Sequence, residues 1–269
     1  MIAPVVDAAL VFGATGRLGK VLLQGLAELG IRPVIITRRM LSDYQVDGVT
    51  PRLPERLAII DASIDYSDMG AHEARKQSLV MDLARRHDLR LVASFSSGVV
   101  EFDDSLIVNP SYSAYKRIKQ DNLTFFQSLG ARLFYPKIYT VVGPCSFKVK
   151  STGWVQVLEQ SLNSDTVSIA HPHEPRSWIS ERCVRRLFTT FAAGEHPDYL
   201  ETPACGTFTL DDVVSFCEAR RGQRIVIQPG CASPWLSVPY VARNPSAIDA
   251  CNCVLNAELA SLLDHAADH

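Results

Sequence analysis

Three glycines and two tyrosine–lysine pairs carry the chemistry that can be read from this sequence. Gly13, Gly16 and Gly19 lie in Val11-Phe-Gly-Ala-Thr-Gly-Arg-Leu-Gly19, after an apolar run and ahead of a helical pattern. The first glycine permits a tight turn. The second lets backbone N–H groups approach a pyrophosphate, and the third lets the helix pack close to the strand. The helix N-terminus adds unpaired donors and a partial positive charge. Gly13, Thr15, Gly16, Arg17, Leu18 and Gly19 are therefore the expected contacts of a dinucleotide. The next strand ends at Ile36-Thr37, and Arg38-Arg39 follow. An acid there would take the ribose 2′-hydroxyl of NAD, whereas arginine suits the 2′-phosphate of NADP. NADP is the expected cofactor, with NAD as the alternative.

A tyrosine hydroxyl, with a pKa near ~10, is a poor base at neutral pH. A neighbouring ammonium favours the phenolate, and residues i and i+4 of a helix share a face. Tyr112/Lys116 and Tyr115/Lys119 both have that spacing. Tyr115, Ile118, Lys119, Asn122, Phe125, Phe126 and Leu129 form one stripe that should face a sheet, while Tyr112, Lys116, Gln120 and Gln127 form a more polar flank. Tyr115 with Lys119 is accordingly the expected acid/base pair. A hydroxyl at a strand end could orient a substrate carbonyl. Ser94, Ser96 and Ser97 compete for that role, and neighbouring strand residues face opposite ways.

These residues need elements to hold them. Ala8–Phe12 reads as a buried strand, Leu18 to Leu29 as an amphipathic helix ended by Gly30, and Pro33–Thr37 as a second strand. Gly25 inside that helix costs ~1 kcal/mol against alanine. Leu57–Asp61, Leu91–Phe95 and Arg132–Tyr135 read as further strands. Helices are expected at Ala74–His87 and Tyr112–Leu129. The alternation implies an α/β fold, a doubly wound parallel sheet covered on both faces. After Pro144 the pattern loosens. Helices are expected around Trp154–Leu162 and Val184–Phe191, after a capping box at Thr209–Asp212, and over Asp249–Leu263. Residues 1–145 and 175–203 read as the dinucleotide-binding part, and residues 146–174 and 204–269 as a smaller capping region.

Composition excludes several classes. The 269 residues are 47% hydrophobic and 21% charged, enough for a sizeable core. A net charge of -2 gives no basic excess for a nucleic-acid partner. No apolar run approaches the ~18 residues of a membrane span, and the N-terminus does not read as a signal peptide. A cytoplasmic protein with a small-molecule substrate is the expectation. Its cysteines, at 145, 183, 205, 217, 231, 251 and 253, are then expected to be thiols, mostly buried as small apolar residues. Cys251-Asn-Cys253 is not usual zinc spacing. His171-Pro-His173 has no third ligand nearby, so no metal site is expected. The Gly-x-Ser-x-Gly elbow of α/β-hydrolases is absent.

The glycine spacing, Ser94-Phe-Ser96-Ser97-Gly-Val, Tyr115-Lys-Arg-Ile-Lys119 and Tyr135-Pro136-Lys-Ile-Tyr139-Thr-Val-Val-Gly-Pro144 together resemble the extended short-chain dehydrogenase/reductase family. Its members include nucleotide-sugar epimerases, dehydratases and ketoreductases. Arg176-Ser-Trp-Ile-Ser is similar to that branch's Arg-x-Phe-x-His. The resemblance implies Tyr115 as acid/base, Lys119 tuning it and holding the nicotinamide ribose, and Ser96 polarising the carbonyl, with Ser97 as the alternate. It further implies cofactor contacts at Asp61, Ala62, Ser63 and Pro136, and a substrate phosphate at Arg176. Departures are visible. Arg39–Leu57 is too short for a full helix and strand, Asp61-Ala-Ser63-Ile-Asp65 replaces His-x-Ala-Ala, and Lys137 stands where a small residue is usual. The expected activity is NADP-dependent hydride transfer at a carbonyl or alcohol carbon, with a nucleotide-linked keto-sugar leading. Alternatives are an epimerase or dehydratase with recycled cofactor, a small-metabolite ketoreductase, or a non-catalytic NADP sensor. A homodimer is common in the superfamily.

Overall fold

The computed structural model describes residues 6–47, 53–63, 69–145, 153–194, 197–230, 236–246 and 253–267. Strands β1 (Ala8–Phe12), β2 (Arg32–Ile36), β3 (Arg56–Asp61), β4 (Asp88–Ser94) and β6 (Arg132–Phe134) form one parallel sheet in the order β2-β1-β3-β4-β6. Strand β5 (Ser96–Ser97) leaves β4 after Phe95 and pairs with β7 (Lys137–Ile138). The chain runs outward from β1 to β2, then returns past β1 to β3. That reversal opens a crevice at the carboxyl ends of β1 and β3. Between β2 and β3 lies α2 (Arg38–Asp47), and no strand is seen among the described residues there, in keeping with the shortness of that stretch.

All five residues of β1 are buried because the sheet is covered twice. Ala9, Val11, Ala58, Ile60 and Phe134 pack with Leu22 and Leu26 of α1 (Arg17–Glu28) and with Phe188 and Phe191 of α6 (Glu181–Ala193). Ala8, Leu10, Leu57, Ile59 and Leu133 face the other way. They meet Leu79 and Leu83 of α3 (Met69–Arg86) and Phe126 of α4 (Pro110–Gln127). Strand alternation thus splits one apolar run between two cores. Gly25 has a use beyond tolerance. A Cβ there would lie 2.8 Å from a Phe188 ring carbon, so its absence lets α1 and α6 close on each other.

A third core lies beyond the sheet. It joins α5 (Gly153–Asn163), β9 (Thr166–Ile169), α7 (Leu210–Arg221), β12 (Val226–Pro229) and α8 (Leu255–Ala267) through Trp154, Leu158, Val213, Leu259 and Leu262. Strands β8 (Thr140–Val142), β10 (Arg176–Ser180) and β11 (Gly206–Phe208) form a small sheet that links it to the first core. The Thr209/Asp212 capping box is formed at α7. Two helix starts differ from expectation. Helix α3 begins at Met69 rather than Ala74, because its polar first turn carries no apolar stripe. Helix α8 begins at Leu255, and residues 249–252 lie outside the described residues. Among the described residues no helix is long and apolar enough to cross a membrane.

Candidate active site

The glycine loop closes one end of a cleft of about 960 Å³ at the β1/β3 reversal. Gly13 has φ +73, and a Cβ on it would fall 2.7 Å from the Ala62 backbone. A Cβ on Gly19 would fall 2.0 Å from the Gly13 carbonyl oxygen. Both positions therefore exclude every other residue. Gly16 caps α1 without a side chain over the first turn. Thr15, Gly16, Arg17, Leu18, Ala62 and Ser63 all line the cleft. Arg17 donates to the Val141 carbonyl at 3.0 Å, tying the loop to β8. The two arginines after β2 separate. Arg38 lines the cleft. Arg39 is 90% exposed beside Asp43 at 3.7 Å, pointing along the outer face of α2.

Asp61 also reaches the cleft, yet its carboxylate turns inward. It accepts from Lys76 Nζ at 2.6 Å and from the Ser63 hydroxyl at 2.8 Å. Lys76 sits 2.9 Å from Glu73, which accepts from Asn122 at 2.8 Å. Lys76 and Asp61 are each only 4% exposed. Burial alone would raise the Asp61 carboxyl. The Lys76 charge and hydrogen bond outweigh it and hold the group below its usual value.

Lys119 stands at the other side of this network. Its Nζ donates to the Phe95 carbonyl at 2.7 Å and lies 5.6 Å from the Tyr115 ring centroid. Burial pushes its pKa down to about 8, with the Lys76 charge adding to the drop and Asp61 opposing it. Tyr115 is pushed up to about 12 by burial, against the Ser97 hydrogen bond that favours its phenolate. The ammonium faces the ring and a carbonyl rather than the hydroxyl, and desolvation dominates. Tyr115 is a neutral phenol here, poised to donate a proton.

Of the serines, Ser97 is the one hydrogen-bonded to Tyr115, and its Oγ also lies 3.2 Å from the Tyr240 hydroxyl. Ser96 lines the cleft beside it, held through its backbone N–H to the Pro136 carbonyl at 3.0 Å. Pro136 is not among the lining residues. Ser94 is structural, donating to the Asp61 carbonyl at 2.8 Å. Lys116 turns away from Tyr112, to the Phe102 carbonyl and Asp104, both at 2.7 Å. Tyr112 remains on the cleft wall near Arg176. Arg176 lines the far end, and its buried Nε has no hydrogen-bond partner. His173 is exposed and 3.9 Å from Asp211.

Two features were missed from sequence. Glu101 gathers Tyr139 at 2.6 Å, Thr202 at 2.7 Å and Lys137 at 3.2 Å, fixing the wall behind Ser97. The odd lysine at 137 was the signal for it. The cysteines also differ from expectation. Cys145, Cys205, Cys217 and Cys253 are free of disulfides, but Cys183 is disulfide-bonded. Sequence spacing gave no hint, because the fold brings cysteines from distant segments together.

No protein-family model and no curated protein matches the sequence. Solved structures match over nearly its whole length. MoeE5 in complex with UDP-glucose and NAD superposes with a TM-score of 0.66 at 16% identity, over 97% of this chain and 99% of that one. The UDP-N-acetylglucosamine 4-epimerase of Methanobrevibacter ruminantium M1, in complex with UDP-N-acetylmuramic acid, gives 0.71 at 12% identity over 98% and 99%. A GDP-L-fucose synthetase from Naegleria fowleri gives 0.68 at 11% identity over 100% and 97%. At these identities the likeness establishes the shared Rossmann-type fold.

Proposed function

We propose that this protein is an NADP-dependent oxidoreductase of the extended short-chain dehydrogenase/reductase type, acting on the carbonyl or alcohol carbon of a nucleotide-linked sugar. The observation that carries this reading is the meeting of Tyr115, Lys119 and Ser97 in a cleft that begins at the glycine loop and ends at Arg176. The residues fit a dinucleotide: side chains at Gly13 and Gly19 would collide with backbone, so the loop is tight and packed against α1, and Gly16 caps that helix with no side chain over its first turn. Gly13, Gly16 and the α1 N-terminus would hold the pyrophosphate, Arg38 a 2′-phosphate, and Lys119 the nicotinamide ribose. When bound, the nicotinamide supplies or accepts the hydride.

The chain's own residues do the rest. Ser97 donates a hydrogen bond to the substrate oxygen and orients it. Tyr115, protonated across the neutral range, delivers the proton to that oxygen as charge develops there. Arg176, with its unpartnered buried Nε, binds the substrate diphosphate. Gly153, Trp154 and Tyr240, which line the cleft from the smaller region, would cover the sugar. A second reading, NAD held and recycled in an epimerase or dehydratase, is favoured by the NAD in the similar MoeE5 structure.

The test is Tyr115→Phe. NADPH binding, followed by protein fluorescence, should be unchanged. Oxidation of NADPH by nucleotide-linked keto-sugars should fall by about 10²–10⁴-fold. Unchanged turnover would remove Tyr115 from the mechanism. Nucleotide co-purifying at one per chain would favour the recycled-cofactor reading.

A further inference from the structure

Away from the cleft, three cysteine sulfurs from distant segments meet where the first and third cores join. Cys183 is in the first turn of α6, Cys205 immediately precedes β11, and Cys253 lies just ahead of α8. Their sulfur atoms all lie within 4.8 Å of one another, and the Cys183–Cys253 pair is at 3.3 Å. Four sulfurs at Zn–S bonds of about 2.3 Å stand about 3.8 Å apart in a tetrahedron, within the spread seen here.

The surroundings differ from those of an ordinary buried thiol. Cys217 shows the ordinary case, fully enclosed among the aliphatic residues of the third core. Around the trio, the Ser180 hydroxyl is 3.1 Å from the Cys253 sulfur and the Ser180 N–H donates to Cys205 at 3.4 Å. Arg182 donates to Cys253 at 3.4 Å while bound to Glu258 at 3.1 Å. The N-terminus of α6 adds partial positive charge. Polar donors and cationic groups thus surround the three sulfurs. They also offset the single negative charge of a divalent cation held by three thiolates.

We propose that Cys183, Cys205 and Cys253 form a binding site for a thiophilic divalent cation, zinc, in the reduced protein. The disulfide at Cys183 makes the site redox-gated. A dithiol reductant delivers two electrons and two protons to that bond, becoming a disulfide itself and releasing Cys183 and the cysteine bonded to it as two thiols. Zinc then replaces the proton of each of the three thiols, and three protons pass to the buffer. Three sulfurs fill three corners of the tetrahedron, and water takes the fourth. The bound ion would staple α6 on the sheet to β11 and to the start of α8.

The test uses full-length protein reduced with dithiothreitol, desalted without oxygen and titrated with Co²⁺ as the optical probe. One equivalent should bind with the intense sulfur-to-cobalt bands of tetrahedral thiolate coordination, and Zn²⁺ should displace it. Cys205→Ser and Cys253→Ser should each weaken binding by more than about 100-fold, beyond what outer-shell groups supply. Cys217→Ser should bind as the parent does. Because a serine variant could misfold, a second measurement uses the unmutated chain. Zn²⁺ should protect Cys183, Cys205 and Cys253 from maleimide, as mapped by mass spectrometry. Reduced protein that shows no thiolate bands and no protection overturns the proposal. So does equal binding by the unreduced protein, or binding that survives both serine substitutions.

Discussion

Lys119 makes a measurable claim about stability. Burial moves its pKa from the ordinary 10.5 to about 8 in the folded chain. Between those values the unfolded state holds the proton and the folded state does not, so stability rises with pH through that window. Below about pH 8 the folded protein carries a destabilising term of about 3 kcal/mol from this one cation. Integrating from pH 7 to pH 9.5 recovers about 2 kcal/mol of it. The perturbation is Lys119→Met, which keeps the stem and removes the charge. Urea unfolding of cofactor-free parent and variant at both pH values gives four free energies. The parent should gain about 2 kcal/mol more than the variant between pH 7 and 9.5. Taking the difference cancels the other titrating groups, including Tyr115, which only begins to oppose the rise above its ordinary value near 10. Equal pH slopes, or a steeper rise in the variant, would refute the assignment of Lys119 as a desolvated cation.

Other consequences are independent of this one. Gly19→Ala places a methyl 2.0 Å from the Gly13 carbonyl oxygen, so NADPH binding by fluorescence should be lost before the fold is. Lys76→Met strips the cation from two buried carboxylates, and urea unfolding should show a loss of about 3–5 kcal/mol. Arg38→Ala should weaken NADP binding by about tenfold or more while leaving NAD binding alone, and Arg39→Ala should change neither by more than about twofold; equal effects at both positions would remove the 2′-phosphate assignment.

What could be read from sequence was what depends on short-range spacing. The glycine loop is local, and its neighbours, a buried run and an amphipathic stripe, are local too. Tyr115 and Lys119 were separable from Tyr112 and Lys116 because helical phase puts Lys119, Asn122 and Phe126 on the buried face of α4. The choice between Ser96 and Ser97 was not legible. The chain leaves β4 at Phe95 and enters β5, so alternation counted along one continuous strand no longer applies. Asp61 reads as a strand-end acid facing a ligand, but a lysine fifteen residues on draws its carboxylate inward, and Lys76 within a polar helical stretch looks like a solvated residue. Glu101 with Tyr139 and Thr202, and the three clustered cysteines, depend on chain crossings that spacing does not encode.

The central claim is that Tyr115 serves hydride transfer between a nicotinamide held at the glycine loop and a sugar carbon. Deuterium tracing tests it most directly. Protein is mixed with NADPH deuterated at the transferable position and with UDP- and dTDP-linked 4-keto-6-deoxyhexoses, and the products are read by mass spectrometry. One deuterium on the new carbinol carbon is expected for an accepted sugar, with transfer by Tyr115→Phe at least about 100-fold slower. Unlabelled sugars across the set despite bound NADPH, or transfer by the phenylalanine variant at the parent's rate, would contradict it.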